Sequence, residues 1–216
     1  MIFGKIEYLN LLPFHIFLKR YYRLSQQSQI LHYKKSVPAK INKAFKRRTV
    51  DAAFISSIES KKCNCLDLGI IARGEVQSVL VLPGKEQSDQ ASASSNKLAK
   101  ILNQQGQVLI GDAALKFYLN HPNTGVDLAA LWNEQENLPF VFARLCYHKD
   151  KKKYQNLQRQ FLKKPYKVPS YILEHAALKT GIPKKAILNY LTLIDYKLDT
   201  SAKKGLNRFL TLAKSN

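Results

Sequence analysis

Apolar positions along the first half of the chain come in short runs separated by helical spacing. Residues 2–8 form an apolar run that reads as a buried strand; it breaks at Asn10 and gives way to a helix led by Pro13 and reaching residue 22. A short strand is expected over 29–33. Pro38 then opens a helix over 39–48 that sets Ile41, Ala44 and Phe45 on one face. Residues 51–55, 68–72 and 76–82 read as three more strands, the last two flanking Arg73-Gly74-Glu75. Strand alternating with helix predicts an α/β fold with a largely parallel sheet covered on both faces.

The pattern turns polar over residues 83–90, which read as a linker or crossing. A helix over 91–104 carries Ser92, Ser94 and Ser95 in its first turn. A strand over 108–110 ends at Gly111-Asp112 and runs into a helix over 113–119. After the loop 121–125, Asp127 is placed to cap a helix over 128–133. Residues 138–147 form a long apolar strand, a second crossing. Everything beyond Asp150 is helical in pattern, with Pro169 and Pro183 marking helix starts.

Charge and cysteine content narrow the setting more than the chemistry. The 35 Lys and Arg against 15 Asp and Glu give a net charge of +20, spread as pairs along the chain rather than gathered in a tail. Such a field attracts nucleic acid, anionic surfaces and small anions alike. No nucleic-acid-binding module accompanies it, so no nucleic-acid partner is expected. The three cysteines, Cys63, Cys65 and Cys146, cannot all pair within one chain and have no zinc spacing. Reduced thiols and a cytoplasmic setting are expected, with no leader and no membrane span.

No phosphate loop, nucleophile elbow or metal-ligand spacing of the five His is present, so neither cofactor nor metal is expected. Small polar residues at strand ends remain: Asn10, Ser56 with Ser57, Ser92 with Ser94 and Ser95, and Gly111-Asp112. Hydroxyls and backbone N–H groups at helix starts hold carboxylates, and the same residues also serve as plain helix caps. Ser57, Ser94, Ser95 and Asp112 fit both roles. Asn10 falls too early to cap a helix beginning at Pro13, which leaves its amide facing the space beyond a strand end.

Several segments together resemble one family. Gly4-Lys5-Ile6, Tyr8-Leu9-Asn10 with Pro13, Val50-Asp51-Ala52-Ala53, Ile55-Ser56-Ser57-Ile58-Glu59 and Gly74-Glu75-Val76 with Ser78 are similar to the chorismate dehydratases of the futalosine route to menaquinone. So are Ile110-Gly111-Asp112-Ala113-Ala114-Leu115, Asp127-Leu128-Ala129 with Trp132, Leu138-Pro139-Phe140-Val141-Phe142-Ala143, and Gly181-Ile182-Pro183 with Tyr190. The resemblance implies a type II periplasmic-binding-protein-like fold, two lobes with a ligand cleft at the hinge. Residues 1–82 plus 141–216 would form the first lobe and 83–140 a small second one, since longer relatives carry a larger insert before Val108.

The implied activity is a hydro-lyase that dehydrates chorismate to 3-[(1-carboxyvinyl)oxy]benzoate. Its site would be Asn10 as the catalytic residue, with Ser56, Ser57, Ser78, Ser92, Ser94, Ser95, Gly111 and Asp112 binding a dicarboxylate. A neutral amide is no base, so Asn10 is expected to orient the substrate while the substrate's own enolpyruvyl carboxylate takes the proton; Asp112 is the rival base. The alternative from another class is a non-enzymatic small-anion binding module on the same fold.

Overall fold

The computed structural model describes residues 1–24, 31–163 and 167–215. Its larger sheet has six strands in the order β2-β1-β3-β8-β4-β9: β1 (Ile2–Lys5), β2 (His32–Lys35), β3 (Ala52–Ser56), β4 (Asn64–Ala72), β8 (Phe140–Tyr147) and β9 (Asp195–Lys197). A smaller sheet orders β6 (Gln107–Ile110), β5 (Val79–Leu82) and β7 (Val126–Asp127), all antiparallel. The nine helices among the described residues are α1 (Leu12–Leu24), α2 (Pro38–Lys46), α3 (Ala93–Ile101), α4 (Gly111–Asn120), α5 (Leu128–Glu136), α6 (Lys151–Leu162), α7 (Ser170–Thr180), α8 (Lys184–Thr192) and α9 (Thr200–Ser215).

The α/β class agrees with the pattern, and the two sheets agree with the two lobes that the resemblance implies, but the predicted parallel pairing holds only at one edge. β1 is parallel to β2 and β3, whereas β8 runs antiparallel between β3 and β4. The reason is the long apolar segment: it returns from the small sheet and inserts into the centre of the large one. β3, buried at every position, is flanked by β1 and β8, as a central strand requires. β5 pairs with β6 and β7, so the small sheet begins at Val79 rather than after Leu82. β9 lies within a stretch that reads as helical, and of the strand expected over 29–33 residues 29 and 30 lie outside the described residues.

Aromatic packing closes the core on both sides of the large sheet. Phe14 of α1 meets Phe54 of β3 and Phe161 of α6 edge-on at 4.9 and 5.2 Å, and Trp132 packs against Phe140 and Phe209. The expectation of three reduced thiols is corrected. Cys65 and Cys146 are register partners on antiparallel β4 and β8, which brings their sulfurs together as a disulfide, and Cys63 is the free thiol.

Candidate active site

Asn10 sits in a 3-10 turn (Leu9–Leu11) that joins β1 to α1, with Tyr8 extended before it. The strand ends, the chain turns over the sheet edge, and Pro13 fixes the first turn of α1. No side-chain capping bond is made at this turn, in keeping with a residue that is not spent on the helix. Its main chain is pinned instead: Tyr196 on β9 donates its hydroxyl to the Asn10 carbonyl at 2.7 Å. Burial raises the pKa of the Tyr190 hydroxyl.

Asn10 lines a cleft between the two sheets. Phe54 and Ser56 come from β3, Phe142 and Ala143 from β8, Ser78 and Val79 from the crossing into the small sheet, and Ile110 with Gly111 from the far side. Ser92 and Ser95 at the start of α3 complete the wall. The free volume is about 70 Å³, room for a few waters, so a ring-bearing ligand enters only when the lobes part. Three hydrogen bonds run across the cleft. Leu9 N–H donates to Asp112 Oδ1 at 2.9 Å, Ile58 N–H to Ser94 Oγ at 3.2 Å, and Ala39 N–H to the Ala91 carbonyl at 3.0 Å.

Three cleft hydroxyls share one arrangement: each is held by a donor from behind. Asn42 of α2 donates its Nδ2 to Ser56 Oγ at 2.7 Å while its Oδ1 accepts from Ser56 N–H, and that second bond fixes which way round the amide lies. Tyr190 donates to Ser78 Oγ at 2.9 Å. Ser92, the N-cap of α3, accepts from Ser95 N–H and donates to Ser95 Oγ at 2.8 Å. A hydroxyl whose oxygen already accepts keeps its own proton to donate elsewhere, and Ser56, Ser78 and Ser95 all line the cleft. The result is a set of oriented O–H donors among apolar walls, at the positive end of the α3 dipole. Such a surface suits carboxylates.

Two of the predicted serines and the predicted acid are placed elsewhere. Ser57, fully buried, donates its hydroxyl to the Val141 carbonyl and its N–H to the Phe142 carbonyl, so it ties β3 to β8. No α-helix follows it to cap; the next element is a 3-10 turn at Ser60–Lys62. Ser94 is turned toward Ile58. Asp112 lies on the far side of Tyr8 and Leu9, where burial raises its pKa against the opposing effects of the Leu9 bond and Lys179. Gly111 lines the cleft because it lacks a side chain: at φ +68° a Cβ there would sit 2.8 Å from the Tyr8 ring.

Among the described residues Tyr8 is the only titratable side chain on the cleft wall, and burial, with the charges of Asp89 and Asp112, pushes its pKa up to about 12. At neutral pH it is a donor, not a base. Asn42, Tyr190 and Tyr196 hold cleft groups from behind; of the three, sequence reading brings in only Tyr190, through the family resemblance. Tyr190 reads as core from its helical spacing, and nothing local marks Asn42 as facing a strand end. Asp127 does more than cap α5: it also accepts from Val76 and Gln77 N–H, holding the crossing that presents Ser78, with Gln77 at φ +60°.

Among the described residues no group of three or more His, Cys, Asp or Glu is placed to hold a metal, and no helix is long and apolar enough to cross a membrane.

Comparison with known proteins agrees with this geometry. A family model for menaquinone biosynthesis matches residues 1–107 and 93–215. A chorismate dehydratase of Campylobacter jejuni subsp. jejuni serotype O:23/36 (strain 81-176) is 46% identical over 219 residues, covering 100% of this chain and 98% of that protein. Among solved structures, a protein of Archaeoglobus fulgidus superposes with a TM-score of 0.72 at 11% identity, covering 99% of this chain and 96% of that one. A Candida albicans protein described as having the generic periplasmic binding protein fold gives 0.62 at 10% identity, covering 100% and 90%. At that identity the structural likeness speaks for the fold alone, two α/β lobes about a ligand cleft. The full-length sequence match goes further: the chain belongs to the menaquinone biosynthesis family.

Proposed function

We propose that this protein is a chorismate dehydratase, a carbon–oxygen lyase that removes water from chorismate to give 3-[(1-carboxyvinyl)oxy]benzoate. Substrate identity rests on the 46% identical relative of that name. The observation that carries the chemical reading is the cleft itself: serine hydroxyls lining it with Asn10, and, among the described residues, no group on its wall basic enough to abstract a proton at neutral pH.

In this reading Ser56, Ser78 and Ser95 donate to the two carboxylates of the substrate, and Asn10 fixes the ring by its amide. The C–H bond at the carbon bearing the enolpyruvyl ether breaks, and its proton passes to the substrate's own side-chain carboxylate. The neighbouring C–O bond then breaks, its electron pair leaving with the hydroxyl, which takes up a proton and departs as water. Aromatisation of the ring drives the step, so the protein's share is orientation and desolvation. Apolar walls from Phe54, Ile70 and Phe142 keep bulk water from the reacting face.

Asp112 is the rival base. Substituting Asn10→Ala is expected to lower kcat by about 10²-fold, the scale for losing one oriented donor, while Asp112→Asn, which keeps an acceptor for Leu9 N–H, retains most activity. Near-normal turnover in Asn10→Ala would sink the assignment, and an inactive but folded Asp112→Asn would transfer the base role to Asp112. We place the reaction in the cytoplasm; alkylation of freshly lysed cells reads whether the Cys65–Cys146 disulfide is present there.

A further inference from the structure

Behind the cleft wall formed by Tyr8 and Leu9 lies a separate groove of about 520 Å³, within the range of small-molecule sites at roughly 300–1,000 Å³. Its floor is apolar: Leu9, Ile16 and Ala176 are buried there, with Leu12 and Ile172 beside them. Its rim is basic. Lys5, Lys19, Arg20, Arg23 and Lys35 come from β1, α1 and β2, and Lys179 comes from α7 across the groove. Only Glu7 and Asp112 oppose them among the lining residues.

Glu7 is already saturated by its own neighbours. Burial pushes its pKa up, but the hydrogen bond and charge of Lys5, with the charges of Lys179 and Lys35, outweigh it and hold the carboxylate at about 2. Its ion pairs with Lys5, Lys35 and Lys179 measure 3.2, 3.4 and 3.5 Å, so three cations converge on one carboxylate. The groove keeps a positive excess that an added anion would neutralise.

His15, 8% exposed, lies beneath the groove, its ring packed against Phe3, Phe14 and Tyr33. Its Nε2 donates to the Ile6 carbonyl at 2.9 Å, which leaves Nδ1 as an acceptor, and Nδ1 has no partner among the described residues. Burial keeps the ring neutral, with its pKa lowered to about 4.

We propose that this groove binds a small ring-bearing organic anion, its ring on the Leu9–Ile16–Ala176 floor and its acidic group among Lys19, Arg23 and Lys179. The site is distinct from the cleft yet touches it, because Tyr8 lines both and Asp112 in the groove accepts the Leu9 N–H that ties the lobes together.

The probe is 1-anilinonaphthalene-8-sulfonate, a ring-bearing anion whose fluorescence reports an apolar site. One equivalent is expected to bind per chain and to remain bound when 3-[(1-carboxyvinyl)oxy]benzoate is added to saturation. The exposed double substitution Lys19→Glu with Arg23→Glu is expected to weaken it tenfold or more while leaving probe-free turnover and the melting temperature unchanged. Hydrogen exchange should show probe-induced protection in α1 and α7. Displacement of the probe by the cleft ligand, wild-type affinity in the double variant, or protection confined to other elements would each overturn the assignment. The charge-reversal and exchange arms do not depend on turnover, so they decide the groove even if the chain fails to dehydrate chorismate.

Discussion

The orientation of the cleft hydroxyls rests on donors that never touch the ligand, and Asn42→Asp tests this with a change of one atom type. In the wild type, Asn42 donates to Ser56 Oγ at 2.7 Å and accepts from Ser56 N–H at 3.3 Å. An ionised carboxylate at that place still accepts from the N–H, but it cannot donate. The Ser56 hydroxyl must then turn its proton backward, and the cleft gains an oxygen lone pair where it had a donor. A hydrogen bond to a charged group is worth about 1.5–3 kcal/mol, so its loss should lower kcat/KM roughly 10- to 150-fold.

The loss should fall mainly on KM, because carboxylate binding is made in the ground state as well as in the transition state. Ser56→Ala should lose a similar amount. The Asn42→Asp/Ser56→Ala double variant should lose little more than either single, since both remove the same donor. There is also a pH signature. The introduced acid, once protonated, donates to Ser56 again, so the variant's kcat/KM should recover as pH falls through its pKa, opposite to any loss in the wild type. The assay is the appearance of aromatic absorbance from chorismate, with circular dichroism to confirm folding. A folded Asn42→Asp enzyme with wild-type kcat/KM at neutral pH refutes the argument.

Other consequences follow from single contacts. Gly111→Ala puts a Cβ 2.8 Å from the Tyr8 ring on a backbone at φ +68°, so stability should fall by about 1–3 kcal/mol in urea melts and KM should rise; a variant as stable as wild type contradicts the packing. Tyr196→Phe removes the donor to the Asn10 carbonyl and should lower kcat about tenfold with KM little changed, since it loosens Asn10 without removing a substrate contact. His15, held at about 4 when folded against about 6.5 when unfolded, stabilises the fold fully above pH 6.5 and progressively less as pH falls toward 4. At about 1.4 kcal/mol per unit, wild type should lose about 3 kcal/mol over that window relative to His15→Gln, measured by urea melts at several pH values; parallel pH curves would refute it.

Local pattern made the strand ends legible, and with them Asn10, Ser56, Ser92, Ser95 and Gly111. Periodicity marks where a strand stops and a helix starts, and in this architecture those points face the cleft. Ser78 entered through the family resemblance, since nothing in its spacing distinguishes it. Pattern could not tell which hydroxyls face the ligand. Ser56 and Ser57 are adjacent and chemically alike, yet β alternation sends one to the cleft and the other to the Val141 carbonyl. Asp112 reads as a cleft acid from its place beside Gly111, and the fold turns it behind Tyr8 to the lobe contact. The antiparallel insertion of β8 depends on a return path of about 60 residues, from β5 to β8, which no window of sequence contains. Asn42, Tyr190 and Tyr196 have partners 14, 112 and 186 positions away, so only the assembled fold reveals those contacts.

The most direct measurement of the central claim is the simplest. Purified protein incubated with chorismate, without added metal or cofactor, is predicted to release 3-[(1-carboxyvinyl)oxy]benzoate, detected by chromatography and mass, with the Asn10→Ala variant at least tenfold slower. Chorismate that binds the folded protein and is recovered unchanged would contradict the account and leave a small-anion binding module in its place.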